Sequence, residues 1–250
     1  MSQYPGIGAV RRVSLFVATF ILTLASLVPA MGAQGATVVG SLPGSFGVSA
    51  TGAATYSIPI ALPRGSGGLT PSIALVYNSQ SGSGAAGYGW TLSGLSAITR
   101  CNKTIHDDGS TEAVTLTASD DYCLDGQRLI LISTNSTSST YDTEIRSYSR
   151  ITTAGGTNGP ASFTVQTKDG ETWEYGNTTD SKILATGTST VRVWALDKVT
   201  DTNGNYYTIT YQNNDTTTGD YWPLSIAYTG NTTVNSPLHT IQFDWVPRSA

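Results

Sequence analysis

From Tyr56 onward the apolar residues of this 250-residue chain return at every second position, and that period restricts the kind of structure it can form. Tyr56, Ile58, Ile60 and Leu62 alternate with Ser57, Pro59, Ala61 and Pro63, and Ile73, Leu75 and Tyr77 repeat the pattern. Phe163, Val165 and Thr167 do so again, as do Val191, Val193 and Ala195, then Tyr207, Ile209 and Tyr211. A spacing of two places alternate side chains on opposite faces of an extended strand. No segment past residue 36 carries the three-to-four spacing of an amphipathic helix. The expected fold is all-β, with hairpins and meanders forming a curved antiparallel sheet after an N-terminal signal helix. Asp169-Gly170 and Asn203-Gly204 supply the turn chemistry of hairpin tips, and Asp125-Gly126 reads as a turn. Pro59 cannot donate to a ladder, so its strand is expected at an edge or a bulge. Further strands are expected at 113–116 and 129–132, as one long strand over 141–151, at 224–228 and from His239 to Trp245. His106 to Gly109 reads as a turn.

Within this pattern, Gly82 to Arg100 (GSGAAGYGWTLSGLSAITR) stands apart. Gly82, Gly84, Gly87, Gly89 and Gly94 crowd around Trp90, a density incompatible with a stable helix. The reading is a structural corner built on Gly87, Gly89, Trp90 and Gly94, in which backbone passes close to the indole and Thr91 to Arg100 leaves as a strand. A dinucleotide cradle needs a strand before the glycines and a helix after them. Here both flanks read as strands.

The first residues have a different character. Arg11 and Arg12 precede the apolar run Val13 to Val28, and small residues follow through Gln34, the layout of a secretory signal peptide. The expected division is a signal peptide over 1–33, an extended lead-in over 34–55 and an all-β domain over 56–250. The last strand runs into Val246 and Pro247 with no closing element, so the domain reads as truncated at its C-terminus. The mature chain is expected to be extracellular with no membrane span. Without Arg11 and Arg12 the formal charge goes from −4 to −6 (−4 − 2), and no cluster of Lys and Arg appears, which disfavours nucleic acid. Charged residues make up 12% of the chain, against about 25% in ordinary globular domains. The surface must therefore be built largely from Ser, Thr, Asn and Gly.

Cys101 and Cys123 flank a turn-rich segment in what should be an oxidising compartment, and a structural disulfide between them is expected. Two buried free thiols are the alternative. Reactive chemistry is poorly supported, and no catalytic, cofactor or metal residue is assigned. His106, Asp107, Asp108, Asp120 and Asp121 do not have the spacing of a zinc site. Asp201, Asn203 and Asn205 match the first three ligands of a calcium loop, but Tyr206 stands where the glycine belongs. Serines abound, yet no Gly-x-Ser-x-Gly elbow is present. Trp173, Tyr175, Trp194, Tyr207, Tyr211 and Tyr228 form either cross-strand packing or a carbohydrate platform, with packing favoured.

The run PGSFGVSATGAATYSIPIALPRGSGGLTPSIALVYNSQSGSGAAGYGWTLSGLSAITR from Pro43 resembles the opening of the SpvB-type N-terminal region. That region is shared by virulence-plasmid B proteins, the B component of insecticidal toxin complexes and RHS (YD) repeat proteins. DDYCLDGQRLIL from Asp120, YDTEIRSYSRI from Tyr141, GPASFTVQTKDGETWEYGNT from Gly159 and VRVWALDKVTDTNGNYYTITY from Val191 are similar too. The resemblance implies a secreted, non-enzymatic part of a β shell around a C-terminal toxic cargo. Its partners would be downstream RHS or toxin segments, or a partner toxin component. The Glu-x-Glu pair of the ADP-ribosyltransferase domain found in some members is absent, since Glu171 and Glu174 are too far apart in sequence. The alternative is a cell-surface adhesin or carbohydrate-binding module engaging a receptor or glycan.

Overall fold

A computed structural model of the protein describes residues 43–213, 217–234 and 236–246. The signal segment and the lead-in up to residue 42 lie outside the described residues. Strands β1 (Ser45–Val48), β2 (Ala54–Pro59), β3 (Ala74–Asn78) and β6 (Trp90–Ser93) form an antiparallel sheet in the order β1-β2-β3-β6. A small hairpin of β4 (Ser83–Gly84) and β5 (Gly87–Tyr88) lies between β3 and β6 in the chain. Then come β7 (Ala97–Cys101), the one-turn helix α1 (Ile105–Asp108), β8 (Asp121–Leu124) and β9 (Gln127–Thr134). Next are β10 (Ser139–Thr143), β11 (Arg150–Ala154), β12 (Ser162–Gln166), β13 (Thr172–Tyr175) and β14 (Lys182–Leu184). The last four are β15 (Val191–Thr200), β16 (Asn205–Asn213), β17 (Tyr221–Asn231) and β18 (His239–Gln242). The described chain is thus all-β, with only short helical turns.

Pairing runs antiparallel from β7 through β8, β9, β10, β11 and β12 to β13. β13 pairs with β15, and β15 pairs with β7, so these strands close into a barrel. β16, β17 and β18 branch outward from the C-terminal half of β15, and β14 lies along its N-terminal half. Cross-strand register puts one apolar set on the inner face: Ile98, Tyr122, Leu129, Ile151, Phe163, Val165, Tyr175, Trp194 and Leu196, all buried. Alternation thus has its usual cause, one face of each strand packed on the core and the other turned outward.

Hairpin chemistry acts where the residues indicate. Asp125 and Gly126 both hold positive φ, 50° and 82°, at the β8–β9 turn. Gly170 and Gly204 are also left-handed, at 86° and 77°, at the β12–β13 and β15–β16 turns. Pro59 sits past the end of β1, whose last pair is Ser45 with Ser57. Because Ile60 N donates to Ile73 O on the β3 side, the alternate Pro59 nitrogen faces the side with no strand.

Several expected elements differ. Residues 91–100 are two strands: β6 ends at Ser93, and Gly94 at φ 93° turns the chain out of the small sheet into the barrel. The long strand expected over 141–151 is broken between β10 and β11. There the Thr143 hydroxyl donates to Ile145 O and accepts from Ser147 N, and Tyr148 is left-handed at φ 58°. Residues 113–116 form no strand, because the amides of Thr115 and Leu116 donate to the Asp120 carboxylate instead of a neighbouring strand. The turn expected at His106 is α1, capped by the Thr104 side chain and ended by left-handed Gly109. The lead-in includes β1, and β18 stops at Gln242, short of Phe243 and Trp245.

The Gly-Trp corner is set by close approach. Trp90 packs on Tyr77 with ring centroids 5.4 Å apart, and a Cβ on Gly89 would lie 2.5 Å from that tyrosine ring. The backbone therefore crosses beside the ring of Tyr77 rather than beside the indole alone. Gly87 belongs to β5, paired with Gly84. At Gly94 a Cβ would meet Ser72 O at 1.9 Å. A side chain there adds positive-φ strain to a backbone clash, so Gly94→Ala is expected to destabilise by about 2–4 kcal/mol in urea unfolding.

Candidate functional site

The barrel interior holds a buried ion pair at one end. Arg100 is carried inward on β7 two residues after Ile98, and its side chain is 2% exposed against 4% for Asp120. Its Nη1 donates to Asp120 Oδ2 at 2.8 Å and to Thr117 O at 2.6 Å, Nε donates to Val191 O at 2.7 Å, and Nη2 donates to Asn158 O. One guanidinium thereby ties β7 to the loop before β8, the loop before β12 and the start of β15. Asp120 also accepts from Thr115 N, Thr115 Oγ1 and Leu116 N. Burial pushes the Asp120 carboxyl upward, but the hydrogen bonds from Thr115 and Arg100 outweigh it and hold the group below its usual range.

An aromatic box surrounds the pair. Tyr122, Phe163 and Trp194 meet edge to face at centroid distances of 5.1–5.5 Å, and the Arg100 guanidinium lies 5.4 Å from the Trp194 ring. Trp194 Nε1 donates to Pro160 O at 3.1 Å. Burial pushes the Tyr122 hydroxyl up to about 12. The interior at this end is a packed core in which all three guanidinium nitrogens donate hydrogen bonds.

The sequence-predicted groups fall outside this box. Cys101 and Cys123 lie diagonally across the β7–β8 ladder with Cα atoms 5.9 Å apart, joined through their sulfurs. That separation suits a disulfide. Asp108 and Asp121 are held by Arg128 Nη2 at 2.6 and 2.7 Å, and His106 Nδ1 shares a 2.6 Å hydrogen bond with Asp107. His106, Asp107 and Glu144 bring ligand atoms within 4.8 Å of one another, all at the exposed surface. In the calcium-like triplet, Asp201 Oδ1 accepts from the Asn203 and Asn205 amides and Oδ2 from Asn205 Nδ2, so the carboxylate is used by its own turn. Only Gly204 supplies a positive φ there. Of the aromatic series, Tyr175, Trp194, Tyr211 and Tyr228 are buried, while Trp173 and Tyr207 pack partly buried against the core. Glu171 accepts from Trp173 Nε1, and Glu174 pairs with Lys198 at 3.6 Å.

Sequence reasoning did not single out Arg100, and it weighed Asp120 only as a metal ligand beside Asp121, not as the partner of a buried cation. The available signal was a cation placed in phase with Ile98 on an inward strand face, followed by an aspartate at the end of a polar loop.

The fold and its interior define a closed antiparallel β barrel with a branching sheet, organised by packing and a buried ion pair. Residues 48–236 match the family described as Salmonella virulence plasmid 65kDa B protein, and the chain belongs to that family. Among solved structures, it is similar to TcdB2-TccC3 without its hypervariable C-terminal region. That match has a TM-score of 0.66 and 18% identity over 84% of this chain and 12% of the other. A Photorhabdus luminescens Tc holotoxin pore matches with a TM-score of 0.60 and 18% identity over 75% of this chain and 10% of that one. The N-terminal domain of effector protein SpvB from Salmonella typhimurium strain LT2 matches with a TM-score of 0.56 and 19% identity over 72% and 66%. The chain thus spans about a tenth of the length of the toxin-complex chains it matches. A search of curated protein sequences finds no match.

Removing one member of the ion pair leaves the other charged and buried. Arg100→Met is expected to cost about 3–5 kcal/mol in denaturant unfolding. Since the Asp120 pKa is lowered on folding, its contribution is full above the ordinary carboxylate range and lost as pH falls through the folded value. Asp120→Asn should flatten the acid limb of the stability–pH curve relative to the wild type. For the cysteines, alkylation of the purified protein under denaturing conditions should label neither residue until reductant is added. Loss of the cross-link should cost on the order of 3 kcal/mol.

Proposed function

We propose that the chain is a secreted structural module of a toxin-complex or RHS-like protein, forming part of a β wall that encloses or presents a C-terminal cargo. The observation that carries the reading is the barrel interior, filled by the Arg100–Asp120 pair and its aromatic box, in a chain of the virulence-plasmid B family. Such an interior is read as packing rather than as a reactive cleft. Its product is a stiff wall whose outer strands extend the sheet. The module acts without a catalytic residue or cofactor, and any chemistry belongs to other parts of the larger protein. Export through residues 1–33 is part of the same reading. Among the described residues no helix is long and apolar enough to cross a membrane.

Protease protection tests this proposal. In the full polypeptide the cargo should resist digestion, and loosening the barrel by Arg100→Met should expose it. Equal cleavage of wild type and variant, with the barrel shown to be loosened, would refute the shielding role. The adhesin alternative loses support from the burial of Tyr175, Trp194, Tyr211 and Tyr228. A glycan array with the purified chain should be blank, and sugar binding abolished by Trp173→Ala would favour the adhesin.

A further inference from the structure

The segment between β7 and β8 has no core of its own. None of residues 102–119 is buried, and the bridge from Lys103 to Glu112 pairs the segment only with itself. Elements with so little buried surface are the first to open in a folded protein. Three ties hold this one. Arg100 reaches it from the barrel interior through Thr117 O, and Arg128, out of phase with buried Leu129, holds Asp108 at 2.6 Å from the outer face. The third tie is covalent, since the Cys101–Cys123 bond closes the segment at its base.

That bond lies on the outside of the barrel. Ile98, Arg100 and Tyr122 turn inward and are buried, so Thr99, Cys101, Asp121 and Cys123 alternate to the outer face, where both cysteines are only half-buried. Accessible disulfides are the ones that exchange with external thiols, whereas buried ones are inert. The bond also reinforces a thinly paired strand, for β8 meets β7 through four residue pairs and β9 through two. Cys101 pairs with Asp121 and Cys123 with Thr99, so the link brackets the Arg100–Tyr122 pair at the loop end of the ladder. Once it is cut, the ladder can fray from Cys101 inward. The groups released first are the ones Arg100 uses, Thr117 O and the Asp120 carboxylate.

We propose that Cys101–Cys123 is a redox latch on this end of the barrel, closed under oxidising conditions and opened by thiols while the rest of the barrel stays folded. In the opening step a reductant thiolate attacks one sulfur and the other leaves as a thiolate. A second reductant thiol then resolves the mixed disulfide, so two reductant thiols become one disulfide and the cysteines become two free thiols. The latch is a property of this chain and is independent of the shell reading, which the protease assay tests separately.

Glutathione buffers set at the poise of an oxidising and of a thiol-rich cellular compartment test it on the purified, folded chain. Mass spectrometry after acid quench and alkylation reads the fraction of open bonds, and hydrogen exchange reads the backbone of the same samples. The bond should be closed in the first buffer and open in the second. On opening, the amides of Lys103, Thr115 and Leu116, which donate to Glu112 O and to Asp120, should exchange at least about tenfold faster, while those of β16 and β17 stay unchanged. Reoxidation should restore the slow rates, and a variant carrying both Cys101→Ser and Cys123→Ser should exchange fast in either buffer. A bond that opens only after denaturation overturns the proposal, as does opening that leaves those three amides unchanged, or a double variant as slow as the oxidised protein. An equal rise in β16 and β17 overturns it too, because the bond would then be a staple of the whole barrel.

Discussion

β15 is the strand on which the rest of the architecture rests. Its N-terminal half lies between β14 and β7, and its C-terminal half between β13 and β16, so it exchanges both neighbours along its length. That exchange closes the barrel and starts the branching sheet in the same ten residues. Both faces are also occupied, for Val193, Trp194, Ala195, Leu196, Asp197 and Val199 are all buried. A strand covered on both sides is usually a continuous apolar run. Here Asp197 interrupts it, satisfied by Asn177 N and Ser181 Oγ at the point where the chain changes partners. Burial pushes that carboxyl upward despite those hydrogen bonds, which marks the local cost of the junction.

Arg100 and Asp120 meet the same topological demand from the other end of the barrel. A buried ion pair of this kind contributes little net stability compared with an apolar replacement, and its value lies in admitting one arrangement. The guanidinium has correct partners only when β7, the Thr117 loop, the Asn158 loop and the start of β15 are all in place. A slipped register would strand a charge in the core. What the pair secures is therefore uniqueness of shape.

How much of this the residues disclosed depends on how local the cause is. The Asp169-Gly170 tip, the turn at Asp125-Gly126 and the alternation in β12 were legible, because turn chemistry and inward–outward packing are written within a few residues. The interruption of 141–151 was not. Ile145 and Ile151 keep an apolar rhythm across it, while the break is made by the Thr143 hydroxyl and a left-handed Tyr148, neither of which changes the pattern. Residues 113–116 looked like a strand because the claim of Asp120 on their amides comes from a residue beyond the segment. Barrel closure and the ion pair were hidden for the same reason on a larger scale. The partner of Arg100 on β15 is Val191, and nothing near Arg100 in the chain announces it.

That distance also governs how the molecule can assemble. Arg100 and Val191 are 91 positions apart, so β7 has no partner on its β15 side until the chain through β15 is available. Contacts of such long span slow folding, because loop closure comes before any reward. A chain emerging N-terminus first would therefore remain pliant through most of its passage and harden late, when the final seam is drawn shut.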